Sequence, residues 1–208
     1  MSNILSTEHL CLECRACEQV CSKHAISMQE NAEGFSYPKI DMDICVDCGL
    51  CVKVCPAIHA DDIKSKSCDV YAAQLKDKAI LKKSSSGGVF SLIAEYVIGS
   101  RGIVFGAAWD EHLQLRHIGV ESIDDLQKLR GSKYVHSDIG NTFVQVRDNL
   151  KTGRLVYFTG TPCQIAGLKL FLRKDYTNLI TSDLVCHGTP SQKLFNLFVK
   201  GMEKDRNV

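Results

Sequence analysis

The sequence predicts a small α+β module at the N-terminus followed by an α/β domain. Three observations carry that expectation. Cys11, Cys14, Cys17 and Cys21 recur as Cys45, Cys48, Cys51 and Cys55, each displaced by 34 residues. Two β-like runs lie between those cysteine runs. Beyond residue 67, apolar strand-like runs alternate with helical periodicities.

In the first segment, Ala25-Ile-Ser-Met28 and Phe35 to Ile40 flank a turn at Asn31-Ala-Glu-Gly34, which reads as a hairpin. The polar stretch Asp61 to Ser67 reads as a linker. Val70 to Ala73 is expected as a short first strand. Val89, Leu92, Ile93, Tyr96 and Val97 have helical spacing. Ile103 to Trp109 reads as a buried strand and Leu113 to Val120 as an alternating one. Ser122-Ile-Asp-Asp125 resembles a capping box before a short helix ending near Gly131. Phe143, Val146 and Leu150 predict a helix, and Arg154 to Phe158 a strand. Gln164 to Arg173 reads as a helix, Leu179 to Cys186 as a strand, and Ser191 to Lys200 as a helix. The tail from Gly201 holds no further expected element, so the domain is expected to be incomplete at its C-terminus. The expected division is 1–64, then 65–83 as linker and first strand, then 84–208.

Composition narrows the function classes. Apolar residues make up 45% and charged residues 24% of 208, ordinary globular values. The longest clean apolar run, Ile103 to Trp109, is too short to span a membrane. The N-terminus lacks a basic stretch followed by an apolar core, so no secretory signal is expected and a cytoplasmic location is. The net charge of +1 gives no reason to expect nucleic acid as a partner. It hides an asymmetry: residues 1–64 carry −5 and the remainder +6. That is either surface scatter or an acidic module suited to a basic electron-transfer partner.

Eleven cysteines ask for a use. Disulfides fit poorly with an odd count, no signal peptide and eight cysteines in two tight runs. The runs are C-x-x-C-x-x-C-x-x-x-C, the second followed by Pro56 and the first by Ser22. Three thiolates at that spacing wrap one face of a cubane, and the fourth serves the other cluster. The expected ligands are Cys11, Cys14, Cys17 and Cys55 for one [4Fe-4S] cluster. Cys45, Cys48, Cys51 and Cys21 then hold the second. Zinc sites pair two short hooks across a longer loop, which this repeat does not. The fold class is thus an α+β ferredoxin module followed by an α/β domain, and the chemistry expected is electron transfer.

In the second domain, Ser84-Ser-Ser-Gly-Gly88 precedes a helix. It reads either as an anion site at a helix N-terminus or as a flexible linker and cap. Tyr157 to Gln164 runs from a strand through a small-residue turn into a helix, where ligands of α/β sheets bind. Thr159, Gly160 and Thr161 suit close approach to a cofactor. Cys163 sits at the helix start, where a thiolate is favoured, or is a small buried residue. Leu184-Val-Cys186-His187-Gly188 ends the next strand, and Cys68 falls in the linker region. Lys133 is either an anion partner or an exposed lysine.

Together "SSSGGVFSLIAEYVI", "GIVFGAAWD", "HIGVES", "LRGSKYV", "FTGTPCQIAGLK" and "DLVCHGTPS" resemble the family of coenzyme F-420 hydrogenase/dehydrogenase beta subunits. The resemblance covers essentially the whole chain. It implies a flavoprotein passing electrons between iron–sulfur clusters, FAD and a redox protein partner or multisubunit oxidoreductase complex. Coenzyme F-420 is the second redox partner of some members. FAD is implied near Ser85, Ser86, Gly87, Gly88, Lys133 and the Thr159, Gly160, Thr161, Pro162 turn. Cys163 and Cys186 are implied as cluster ligands, although a third [4Fe-4S] cluster requires further cysteines downstream. The alternative expectation is a non-catalytic ferredoxin-type carrier fused to a docking domain.

Overall fold

The computed structural model describes residues 10–59 and 68–206. The expected linker Asp61 to Ser67 lies outside them.

The N-terminal module opens with helix α1 (Ala16–Val20), followed by strands β1 (Ile26–Glu30) and β2 (Ser36–Ile40) and helix α2 (Leu50–Lys53). The hairpin is antiparallel, with Ile26 opposite Ile40 and Glu30 opposite Ser36. Its turn closes through Asn31, whose side chain accepts from the Glu33 and Phe35 amides at 3.0 and 2.9 Å. Gly34 completes the turn at φ +86°, a conformation in which a Cβ is unfavourable. Ile26, Ile40 and Cys17 form a small core of the module, with Cys21, Cys45 and Cys51 against it.

The second region runs α3 (Lys78–Lys82), α4 (Val89–Gly99), β3 (Ile103–Trp109), β4 (Leu115–Val120) and α5 (Leu126–Leu129). It continues with α6 (Thr142–Lys151), β5 (Val156–Gly160), α7 (Pro162–Leu172), β6 (Leu179–Asp183) and α8 (Gln192–Arg206). The sheet order is β4-β3-β5-β6, with β3, β5 and β6 parallel and β4 an antiparallel edge. Alternation along the strands divides the core. Val104 and Tyr157 pack under α4 and α5 with Ala94, Val97 and Leu126. Phe105 and Phe158 face the opposite side, with Phe143, Val146, Leu168 and Phe171 of α6 and α7. This is the three-layer arrangement a parallel sheet needs to bury both faces.

The module joins the α6/α7 face. Ala16, Cys14 and Val54 are members of that same core. The Gln19 side chain accepts from the amides of Phe143 and Val144, at 3.0 and 3.2 Å, and so caps α6 from outside its own segment. Arg15 pairs with Asp138. Ser191 donates to the Glu33 carbonyl at 2.6 Å, and Lys193 to the Ala32 carbonyl at 2.9 Å. A cavity of about 150 Å³ at this seam is lined by Glu13, Arg15, Arg116, His136 and Asp138 among others.

Three expectations need correction. Val70 to Ala73 is not a strand: the segment is irregular, Val70 and Tyr71 are 91% and 81% exposed, and among the described residues it pairs with neither sheet. Its continuation instead crosses the start of α4, where the Leu75 amide donates to the Gly87 carbonyl. The strand expected to reach Cys186 stops at Asp183, opposite Gly160 where β5 also ends. The last helix runs past Lys200 to Arg206.

Candidate functional site: two cysteine loops and the carboxyl edge of the sheet

The sequence repeat is also a backbone repeat. Glu13 and Asp47 both lie at φ +50°, and Arg15 and Gly49 at +56° and +70°. Each of these pairs is separated by the same interval as the cysteines. Left-handed residues within tight loops turn backbone amides inward, and such nests recur around Fe–S sites. Only Gly49 takes that conformation without steric cost. At Glu13, Arg15 and Asp47 it costs roughly 1 kcal/mol or more each, strain of the kind found at functional loops. Residue identity gave little sign of it, because two of the four positions are acidic and one is arginine.

The eight cysteines fall into two groups. Burial raises the thiol pKa of Cys11, Cys14 and Cys17, that of Cys14 to about 12. Cys55 acts electrostatically on all three and raises each further. Three thiols whose ionisation burial and close neighbouring sulfurs oppose, with Cys55 beside them, are a ready place for a polycationic iron core. Cys21, Cys45, Cys48 and Cys51 line a separate cavity of about 30 Å³ floored by Ile26, Ile40 and Leu50. Among the described residues, no three Cys, His, Asp or Glu side chains converge on one ion-sized site. A cubane spreads its thiolates around a multi-atom core, so the two groupings fit it.

The other candidates gather at the carboxyl edge of the sheet. Because α4 runs antiparallel to β3, its N-terminus lies at the end where β3, β5 and β6 finish. Phe90 of its first turn packs on Tyr157 of β5, with ring centroids 5.9 Å apart. Arg130 spans to α4 through Ser91 (3.0 Å) and Glu95 (2.7 Å). Lys133 folds back onto the carbonyls of Arg130 and Gly131, at 2.8 and 3.2 Å. Its ammonium is half-buried, and burial lowers its pKa to about 8. Ser85 and Ser86 are exposed, and no side chain caps α4. These are fitting donors for an anionic group. Gly87 and Gly88 are not an open cradle, because Cβ atoms there would meet the Ala73 carbonyl oxygen at 2.2 Å and the Leu75 side chain at 2.5 Å.

The turn after β5 is held from below. Thr161 and Gln164 form a reciprocal capping box at the start of α7. Gln164 also donates to Ser137 (3.0 Å to Oγ), and Ser137 hydrogen-bonds His117 Nδ1 at 2.9 Å. His117 Nε2 meets the Thr159 carbonyl at 2.9 Å. A carbonyl only accepts, so Nε2 carries the proton and Nδ1 accepts from Ser137. Burial holds this imidazole neutral, with its pKa lowered to about 4. His117 was missed as a support residue, although strand alternation places it on the inner face of β4 with Leu115.

Cys163 lies in the first turn of α7, its sulfur 3.0 Å from Thr161 Oγ1, and it acts electrostatically on Cys14. Cys186 accepts locally from the Gly188 amide at 3.4 Å. The Leu184 amide bonds the Gly160 carbonyl, so the Cys186 loop leaves from beside the same turn. His187 and Cys68 are exposed.

Residues 10–58 match the family described as a 4Fe-4S dicluster domain. Residues 70–142 and 153–207 match the N-terminal and C-terminal parts of the coenzyme F-420 hydrogenase/dehydrogenase beta subunit, together more than half the chain. The chain belongs to the family of coenzyme F-420 hydrogenase/dehydrogenase beta subunits. Among curated relatives, a component of the F(420)H(2) dehydrogenase of Methanosarcina mazei is 24% identical over 173 residues, 77% of this chain and 48% of that protein. The ferredoxin-type protein NapF of Haemophilus influenzae is 38% identical over 55 residues, 26% of this chain and 31% of that protein. The chain thus spans at most about half the length of these relatives. A chain of the F-420-reducing [NiFe] hydrogenase complex of Methanosarcina barkeri, studied by xenon derivatization, superposes at a TM-score of 0.49 and 24% identity. That superposition covers 61% of this chain and 47% of that one. In this member of the family the dicluster module is fused directly ahead of the α/β region, and no described helix is long and apolar enough to cross a membrane.

Proposed function

We propose that this chain is an iron–sulfur flavoprotein that relays electrons between an external redox protein and FAD, as part of a multisubunit oxidoreductase. In this reading Cys11, Cys14, Cys17 and Cys55 hold one [4Fe-4S] cluster, and Cys21, Cys45, Cys48 and Cys51 the other. FAD would join one-electron transfers to two-electron chemistry on an organic partner, for which coenzyme F-420 is a candidate. The chain's own residues supply position and electrostatics. Lys133, Ser85, Ser86 and the free amides of α4 would meet the anionic part of the cofactor. The His117–Ser137–Gln164 chain would fix the Thr159 to Pro162 turn beside it. Cys163 and Cys186 stand ready as ligands of a further cluster only if additional thiolates are supplied.

One observation carries the reading: the helix that begins at the candidate flavin turn also touches a cysteine of the first group. The closed face of Gly87 and Gly88 favours a second reading, an electron carrier or adaptor without flavin. Anaerobic reconstitution with iron, sulfide and excess FAD, followed by removal of unbound cofactor, separates them. About eight irons with near-stoichiometric FAD per chain support the flavoprotein reading, on four irons per cubane. About eight irons without flavin turn the assignment to the carrier. Zinc in place of iron would overturn both.

A further inference from the structure

The two cysteine groups sit in different surroundings. Cys14 belongs to the main core, beside Phe143, Ile165 and Leu168. A Cβ on Gly167 of α7 would lie 2.9 Å from both the Cβ and the sulfur of Cys14. Backbone of α7 therefore rests directly on this thiol with no side chain between. One turn earlier on the same helix, Cys163 acts electrostatically on Cys14. The second group does not belong to this core. Cys21, Cys45 and Cys51 pack against the module's own small core of Ile26, Ile40 and Cys17, and Cys48 is exposed. Met42, Ile44 and Val46, around the first cysteine of that loop, are also exposed.

We propose that the two sites are stations of fixed order. The Cys11, Cys14, Cys17, Cys55 site is the inner station, coupled to the α/β domain across Gly167. The Cys21, Cys45, Cys48, Cys51 site is the outer station, where electrons cross to a protein outside this chain. The order rests on the cluster ligation proposed above and does not require flavin. A reduced one-electron carrier protein loses one electron at the outer station, and that electron passes to the inner one. Two such passages, with protons drawn from solvent, complete the two-electron reduction of a flavin; the reverse traffic oxidises it and reduces two carriers. Tunnelling falls steeply with distance, so a bare-backbone contact at Gly167 is the place where a side chain would do most harm. Gly167 is in this sense a positioning residue.

The test is an EPR-monitored redox titration of the anaerobically reconstituted full chain, alongside Cys48→Ser and Gly167→Ala. Cys48→Ser is expected to remove or reshape one of the two reduced-cluster signals, and Gly167→Ala to shift the midpoint or line shape of the other alone. In the unaltered protein, a soluble gadolinium chelate should broaden the Cys48-dependent signal more strongly. If Gly167→Ala prevents folding, that broadening alone decides the order. The proposal is overturned if Gly167→Ala moves the Cys48-dependent signal or neither, or if the chelate broadens the other signal more. Iron well below the roughly eight per chain expected of two cubanes overturns the ligation and the order together. Eight irons with the wrong signal moving overturns only the order.

Discussion

His117 is a base that folding has disarmed. The unfolded imidazole titrates near its ordinary value of 6.5, whereas the folded one does so near 4. Between those values the unfolded chain binds the extra proton, so stability falls as pH drops through that window and levels off below it. From pH 7 to pH 5 the loss attributable to His117 is about 2 kcal/mol. Denaturant unfolding of the reconstituted protein at both pH values, against His117→Phe, measures it. The variant is less stable throughout and should lack that share of the pH slope; an unchanged slope would reject the assignment. Lys133 poses the complementary case, a cation kept half-dry beside carbonyls. Lys133→Gln is expected to weaken FAD retention about tenfold, about 1.4 kcal/mol, with partial rescue by Lys133→Arg. Equilibrium dialysis against FAD reads both. Arg130 is the deepest cation of the group, 6% exposed at its side chain and paired with Glu95. Arg130→Met removes charge-assisted bonds from α4 and should cost about 2 kcal/mol by thermal or denaturant unfolding.

At the scale of elements, α6 is unusual in taking its cap from another module. Gln19 satisfies two of its first amides, so Gln19→Ala should cost about 1 kcal/mol. Gln19→Glu keeps the acceptor and adds a negative charge at a helix N-terminus, so it should be neutral or stabilising. A Gln19→Glu protein as weak as Gln19→Ala would refute the cap. No sequence pattern exposes such a bond, because its partners are more than a hundred positions apart. The local elements were far more legible. β3 is an unbroken apolar run between α4 and β4, the mark of a strand buried on both faces. The helices after it were set by apolar spacing and, ahead of α5, by Ser122-Ile-Asp-Asp125, whose Ser122 Oγ accepts from the Asp125 amide at 3.1 Å. Misreadings arose where pairing overruled composition: Val70 to Ala73 is apolar without a neighbouring strand, and Leu184 and Val185 extend past the end of β5. In the site, cysteine spacing carried the expectation of a dicluster module, which the family match over residues 10–58 supports. The left-handed loop residues, His117 and the Gly167 contact left no comparable trace, since each depends on tertiary packing.

Across the whole molecule, the hairpin tip is clasped by the start of α8. Gly34 approaches so closely that a Cβ would lie 2.3 Å from that of Lys193. Gly34→Ala must therefore break the clasp or strain the turn, at an expected cost of at least about 1–2 kcal/mol for the left-handed backbone alone. Hydrogen exchange should rise together in residues 31–36 and 188–193. Protection lost in the hairpin alone would mean that the clasp is not a shared unit.

That clasp, with the Gln19 cap and the Arg15–Asp138 pair, has a kinetic meaning. A free carrier must find its acceptor by diffusion, in a collision that salt slows and dilution makes rarer. In the proposed relay the carrier never leaves, and its local concentration is set by geometry. Traffic within the chain should be first order and indifferent to ionic strength. Dilution and salt can act only on exchange with the world outside it.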